Sequence, residues 1–233
     1  MKKILSGPER GCDIIIPVWD QLEATRECLG HILRNTKYPY KIIIVDNGSE
    51  PLTADFLEEF KKENREKVHL IINEDNEGFV KAINQGLKAS RAPYVCFMNN
   101  DTMPGEGWLT ELVSFAESHK ETGLLNPLCK GHIQKNMTIN EYAHIVALNR
   151  GKYMEMNQCQ GFCMLVKRNV IDKIGYMDET FGIGGFDDTD YSRRAHRAGY
   201  TSVSVHSAYV YHQEHQSFNA MGDRKSIQAA AEK

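Results

Sequence analysis

Dense apolar runs alternate along this chain with stretches of helical period, and that alternation predicts its fold. Tyr94-Val95-Cys96-Phe97-Met98 reads as a strand buried on both faces, because no polar residue interrupts it. Polarity then flips at Asn99-Asn100-Asp101-Thr102. Three similar runs precede it: Cys12 to Val18, ended by Pro17, then Lys41 to Val45, then Val68 to Ile72. Between them the spacing is helical. Gln21 to Asn35 carries Leu22, Leu29, Ile32 and Leu33, Pro51 opens a helix to about Lys62, and Gly78 to Ala89 forms a third. Four strand-helix alternations with short connections argue for a mostly parallel central sheet with helices on both faces. Right-handed crossovers would bring Asp46 and Asp101 to one sheet edge.

After Leu128 the pattern weakens. Residues 129–158 read as a polar, irregular, substrate-facing insertion. Gln160 to Val166 is a further strand and Asn169 to Ile174 a short helix. The glycine loop Phe181-Gly182-Ile183-Gly184-Gly185 feeds a helix from Phe186-Asp187-Asp188 to about Arg197, ended by Gly199. Thr201 to Val205 and Ala208 to Tyr211 predict two short strands. The polar, Ala-rich tail from Asn219 to Lys233 suits a terminal helix. We expect one α/β domain over 1–233. Residues 11–128 form its ligand-binding half, 129–215 its catalytic half and 216–233 a polar tail.

The totals narrow this reading. At 233 residues the chain suits one large domain, and 41% hydrophobic with 25% charged residues is ordinary for a globular protein. A net charge of −3 gives no basic footprint for nucleic acid. The six cysteines form no Cys-x-x-Cys, which argues against structural zinc or a disulfide framework. Met1-Lys2-Lys3-Ile4-Leu5 lacks the apolar core of a signal peptide, and no run approaches the roughly 20 apolar residues of a membrane span. A cytoplasmic location is therefore expected, with Asn136-Met137-Thr138 a chance glycosylation match. Peripheral membrane association and the oligomeric state stay open.

Candidate chemistry gathers where the strands end, the edge at which open α/β sheets bind ligands. Asn99, Asn100 and Asp101 supply hard oxygen donors suited to magnesium or manganese, although the same residues also suit a turn. Neither a dinucleotide Gly-x-Gly-x-x-Gly nor a Walker loop is present.

Five blocks stand in order: Ile14-Ile15-Ile16-Pro17, Ile44-Val45-Asp46-Asn47-Gly48-Ser49, Asn76 to Gly86, Asn99-Asn100-Asp101-Thr102, and Phe186-Asp187-Asp188-Thr189-Asp190. Together they resemble the family 2 glycosyltransferases of the Rossmann-like GT-A fold, over about residues 11 to 215, and most the bacterial rhamnosyltransferase-like branch. The resemblance implies inverting transfer of a sugar from a UDP- or dTDP-activated donor to a carbohydrate, glycolipid or other hydroxyl acceptor, in polysaccharide or glycoconjugate biosynthesis. It implies a nucleotide pocket at Pro17 and Val18, a base contact at Asp46, and donor contacts at Asn76, Gly78, Asn84 and Asn100. Asp101 matches the last acid of the family's Asp-x-Asp metal motif, but Asn99 stands in the first position, one anionic ligand fewer. His212 matches a position that sometimes completes the metal site, with His215 the lesser candidate. Asp188 matches the general base, with Asp187 orienting an acceptor hydroxyl; Asp190 reads as structural. Three alternatives stay open: a sugar-phosphate nucleotidyltransferase, a non-catalytic sugar-nucleotide binder, and transfer without metal.

Overall fold

Ile14, Ile16, Ile42 and Ile44 face one side of the sheet and Ile15 and Ile43 the other, and all are buried. Both faces of the sheet are therefore covered, as the uninterrupted apolar runs require. The structure is a computed structural model that describes residues 11–129, 137–182 and 184–213. The first half is β1 (Cys12–Val18), α1 (Leu22–Asn35), β2 (Tyr40–Asn47), α2 (Pro51–Glu63), β3 (Val68–Asn73), α3 (Phe79–Ala89) and β4 (Tyr94–Met98). It continues with β5 (Thr102–Pro104), α4 (Trp108–Ser118), β6 (Thr122–Leu128), α5 (Ile139–Ala147) and β7 (Tyr153–Met156). The last elements are β8 (Cys163–Lys167), α6 (Arg168–Ile174), a 3₁₀ turn at Glu179–Phe181, α7 (Asp187–Arg197) and β9 (Thr201–His212).

The sheet runs in the order β3-β2-β1-β4-β8-β6-β9-β5, with β7 pairing the outside of β9. β1, β2, β3 and β4 are parallel to one another, β8 is antiparallel to its neighbours β4 and β6, and β6 and β9 pair in parallel. β5 and β7 also run antiparallel to β9, so the sheet is mixed rather than mostly parallel, with its parallel half at β3, β2, β1 and β4. Helices α1, α2 and α4 pack on one face, and α3, α6 and α7 on the other. Gly86 in α3 reflects this packing, since a Cβ there would lie 2.3 Å from Ile15 Cγ2.

The structure corrects the second half in two places. The stretch 129–158 is not an irregular insertion, because α5 and β7 lie inside it. α5 starts from a capping box in which Thr138 Oγ1 accepts from Glu141 N at 3.2 Å and Glu141 Oε2 accepts from Thr138 N at 2.7 Å. The two short strands expected after Thr201 are one strand of 12 residues, β9, whose register against β6 slips between Pro127 and Leu128. The slip lets the strand absorb extra residues without ending. Met1 to Leu5, Asn136, His215 and the tail from Asn219 lie outside the described residues. Among the described residues, no helix is long and apolar enough to cross a membrane.

Candidate active site

A cleft of about 470 Å³ opens where β1 and β4 end, beside the starts of α3 and α7. Pro17, Val18 and Trp19 form one wall at the end of β1. Asn47, Asn76, Gly78 and Phe79 form the next, Asn99 to Asp101 with His212 a third, and Gln160 to Phe162 with Gly184 to Asp188 close the circuit. Ten of the twelve residues proposed from sequence line it. Asp46 and Asn84 do not.

Asn84 is 2% exposed and is not among the residues lining the cleft. Its Nδ2 donates to Met177 O at 2.9 Å and Glu179 Oε1 at 3.0 Å, and its Oδ1 accepts from Met177 N at 3.0 Å. The expected donor contact is therefore corrected to a structural clamp, because every polar atom of this side chain is committed to the 177–179 segment. Asp46 adjoins the cleft, paired in register with Val18, but its Oδ1 accepts from Ser49 N at 3.0 Å and caps its own turn. Only 2% of Asp46 is exposed.

Asn47 is the organiser of the second wall. Its Nδ2 donates to Asn76 Oδ1 at 2.8 Å, and its Oδ1 accepts from Asn73 Nδ2 at 2.9 Å and Glu77 N at 3.1 Å. Asn76 Oδ1 also accepts from Gly78 N at 2.9 Å. The loop before α3 is thus held by side-chain amides. Gly48 permits the approach, with φ +77° and a virtual Cβ only 2.7 Å from the Asp75 backbone.

The third wall brings the proposed metal residues together. Thr102 Oγ1 donates to Asn99 O at 2.7 Å and closes the turn after β4. Asp101 is 3% exposed, and its Oδ1 lies 3.1 Å from His212 Nε2 at the end of β9. Asn99 Nδ2 stands 3.5 Å from the same nitrogen. Phe162 lies against the imidazole, with ring centroids 5.2 Å apart and planes 15° apart, which fixes its orientation. A carboxylate oxygen and an imidazole nitrogen at this separation need a proton or a cation between them. Among the described residues no three His, Cys, Asp or Glu side chains form a metal cluster. With one carboxylate and one imidazole side by side, Asp101 and His212 fit a cation that takes the rest of its shell from phosphate oxygens and water.

The acidic pair opens α7. Tyr191 and Ala195 bury the helix against the sheet, with Tyr191 edge-on to Phe97 at 5.9 Å, and this leaves the first turn at the cleft. Asp187 is buried, and its Oδ1 accepts from Gly185 N at 2.8 Å. Burial pushes its carboxyl above the ordinary range, the Gly185 N–H works against that rise, and the neighbouring Asp188 charge adds to it. Asp188 is half-buried, with Oδ2 accepting from Gly161 N at 3.1 Å. Asp190 pairs with Arg194 Nε at 2.7 Å and lies outside the cleft lining. Phe186, just before the helix, holds φ +66° with 63% of its surface exposed, an unusual backbone for an aromatic residue.

Sequence reasoning missed Trp19, Asn47, Phe79, Phe186 and the segment 160–162 as lining residues. Trp19 and Asn47 directly follow residues it did single out. Gln160-Gly161-Phe162 was read as the start of a strand, and its Gln-Gly opening was the signal that the chain is a loop there.

A model of glycosyl transferase family 2 matches residues 13–175, which take in most of the sheet, two walls of the cleft and part of the other two. The chain belongs to glycosyl transferase family 2. Glycosyltransferase AglE of Haloferax volcanii is 24% identical over 207 residues, covering 85% of this chain and 66% of that protein. The chain matches between 24% and 66% of the length of eight curated relatives. GalNAc-T7, solved with UDP, GalNAc and Mn2+, superposes with a TM-score of 0.73 at 16% identity, over 87% of this chain and 44% of that one. Mannosyltransferase PcManGT from Pyrobaculum calidifontis, solved with GDP-Man and Mn2+, gives a TM-score of 0.70 at 15% identity, over 95% and 68%. At these identities the likeness is one of fold, the GT-A fold.

Proposed function

We propose that this chain is an inverting glycosyltransferase that moves a sugar from a UDP- or dTDP-activated donor to an acceptor hydroxyl in polysaccharide or glycoconjugate biosynthesis. The observation that carries this reading is the meeting of Asp101 with His212, and of Asp187 with Asp188, in one cleft. Transfer with inversion needs a charge-stabilising group at the leaving diphosphate and a base for the incoming hydroxyl. The two acidic sites supply one each.

In this reading residues 11–128 hold the nucleotide-sugar and 129–213 contribute the base and acceptor side. Pro17, Val18 and Trp19 enclose the base, and the Asp46 oxygen that Ser49 N does not engage accepts from a pyrimidine N–H. Asn76, Gly78 and the start of α3 face the diphosphate, where a helix N-terminus favours anions. Asp101 and His212, with Asn99 beside them, would hold a manganese or magnesium ion, which when bound supplies Lewis-acid stabilisation of the departing diphosphate. Asp188 takes the proton of the acceptor hydroxyl as that oxygen bonds to the anomeric carbon, and the carbon's bond to the diphosphate breaks. A positioned base of this kind contributes roughly 10² to 10⁴-fold. Asp187 orients the same hydroxyl. The fold neighbours include one with UDP and one with GDP-Man, so the preference for a pyrimidine rests on Asp46.

The test is a thermal-shift panel of nucleoside diphosphates with Mn2+, followed by release of nucleoside diphosphate from the matching sugar donors. Uridine or thymidine diphosphate should stabilise most, by about 2.7 kcal/mol at roughly 100 times the dissociation constant. Chelation should remove both the shift and the turnover. Strongest stabilisation by guanosine diphosphate would overturn the base assignment, and turnover that survives chelation would overturn the metal assignment.

A further inference from the structure

β6 stops pairing with β8 after Leu125 and Leu165, and the next residue of β6 is a buried polar one. Asn126 is 2% exposed, and its side chain takes over where the ladder ends. Its Nδ2 donates to Gln160 O at 2.9 Å and to Cys163 O at 2.6 Å, and its Oδ1 accepts from Gln160 N at 2.7 Å. Both amide protons and one acceptor site are in use. All three bonds end on one segment, 160–163, and that segment touches both chemical centres of the cleft. Gly161 N donates to Asp188 Oδ2 at 3.1 Å, Phe162 O accepts from Asn99 N at 2.9 Å, and the Phe162 ring backs the His212 imidazole.

We propose that Asn126 is a positioning residue for sugar transfer, fixing the segment whose Gly161 N–H holds Asp188 in place for the acceptor's proton. The inference rests on the reading of Asp188 as the base. Asp188 sits in the first turn of a helix, half-buried, and among the described residues its Oδ1 is met only at 3.4 Å by the Thr189 hydroxyl, beyond a good O–H···O distance. Gly161 N–H is therefore the firm restraint on this carboxylate, and it leaves Oδ1 to take the proton. Gly161 itself belongs to a loop with no ladder bonds to either neighbour strand. Its position is set by the chain on either side, where Asn126 grips Gln160 and Cys163 while Asn99 N–H holds Phe162 O. Displacing a catalytic group by about 1 Å costs on the order of 10²-fold. A side chain that never reaches the cleft thereby sets the rate.

The experiment is a double-mutant cycle on the full chain. Asn126→Ala and Asn126→Asp are each made alone and with Asp188→Asn. Asn126→Asp keeps the shape and the acceptor oxygen while removing both donors, so two independent variants carry the test. Turnover is nucleoside diphosphate release from the UDP- or dTDP-sugar that the unaltered protein uses best. Hydrogen exchange of the Gly161 amide is read beside that of Leu125. Each Asn126 variant should lose about 10- to 100-fold in kcat, with donor affinity by calorimetry held within a few fold. In the Asp188→Asn background the same change should cost little more, because residues that act as a unit are non-additive. The Gly161 amide should lose protection while Leu125 keeps it. Full additivity, unchanged kcat, or donor affinity falling in step with kcat would overturn the positioning role. Normal turnover by Asp188→Asn would instead overturn the base assignment beneath it.

Discussion

Asp187 and Asp188 are neighbours in one helical turn, yet their surroundings separate them. Asp187 is buried beside Gly185 N–H, and Asp188 is half-buried beside Gly161 N–H. Burial raises the Asp187 carboxyl above its ordinary value of 3.8. Between that value and the raised one the folded chain binds the proton more tightly than the unfolded chain does. The stability this group contributes therefore declines as pH climbs through the window. Asp187→Asn keeps an oxygen for Gly185 N–H and removes the buried charge. It should melt higher than the parent at pH 7, and the difference should close as the pH falls to about 4, near the ordinary aspartate pKa. Melting curves in pH steps check this. A difference that does not vary with pH would contradict it.

At the scale of elements, the two ends of α3 have separate jobs. Its start lines the cleft through Gly78 and Phe79, whereas Asn84 in its middle clamps the 177–179 segment. Removing that clamp leaves the Met177 backbone groups unsatisfied, and an unmet buried polar group costs about 1–3 kcal/mol. Asn84→Ala should therefore lower the melting temperature by several degrees and leave donor affinity unchanged in the folded protein; about 2–4 °C per kcal/mol is expected for a chain of this size. Weakened donor binding at full stability would restore the contact that the structure removes. The resemblance suggested such a contact because the motif around Asn84 is written along a helix, and sequence alone does not say which face of it meets the ligand.

The legible elements were those with strong periodicity. β1, β2, β3 and β4 are unbroken branched runs, and α1, α2, α3 and α7 carry clear helical spacing or start signals. β6 escaped notice because Asn126 and Pro127 interrupt it, and proline in a central strand argues against one. Here the interruption is where pairing with β8 ends and the register with β9 slips. α5 had a readable start in Thr138 and Glu141, but its short length and the polar residues around it hid it. At the cleft, residues inside quoted motifs were legible. Gln160, Gly161 and Phe162 were not, because their role comes from a side-chain clamp distant in sequence.

In the proposed reading the whole molecule divides the chemistry between two halves of one sheet. β1, β2, β4 and the start of α3 build the side of the cleft proposed for the donor, with Asp101 after β4. β9 brings His212 to that aspartate, and β8 and α7 bring Gly161 and Asp188 from the opposite end of the chain. Binding and proton transfer are thus assigned to carboxylates in different halves. The most direct measurement is calorimetric donor binding with Mn2+, set beside turnover, for Asp101→Ala and Asp188→Asn. Asp101→Ala should weaken metal-dependent donor binding and slow transfer together. Asp188→Asn should keep donor affinity within a few fold while turnover falls by roughly 10² or more. Near-normal turnover by Asp188→Asn, or donor affinity lost in proportion to it, would contradict the division.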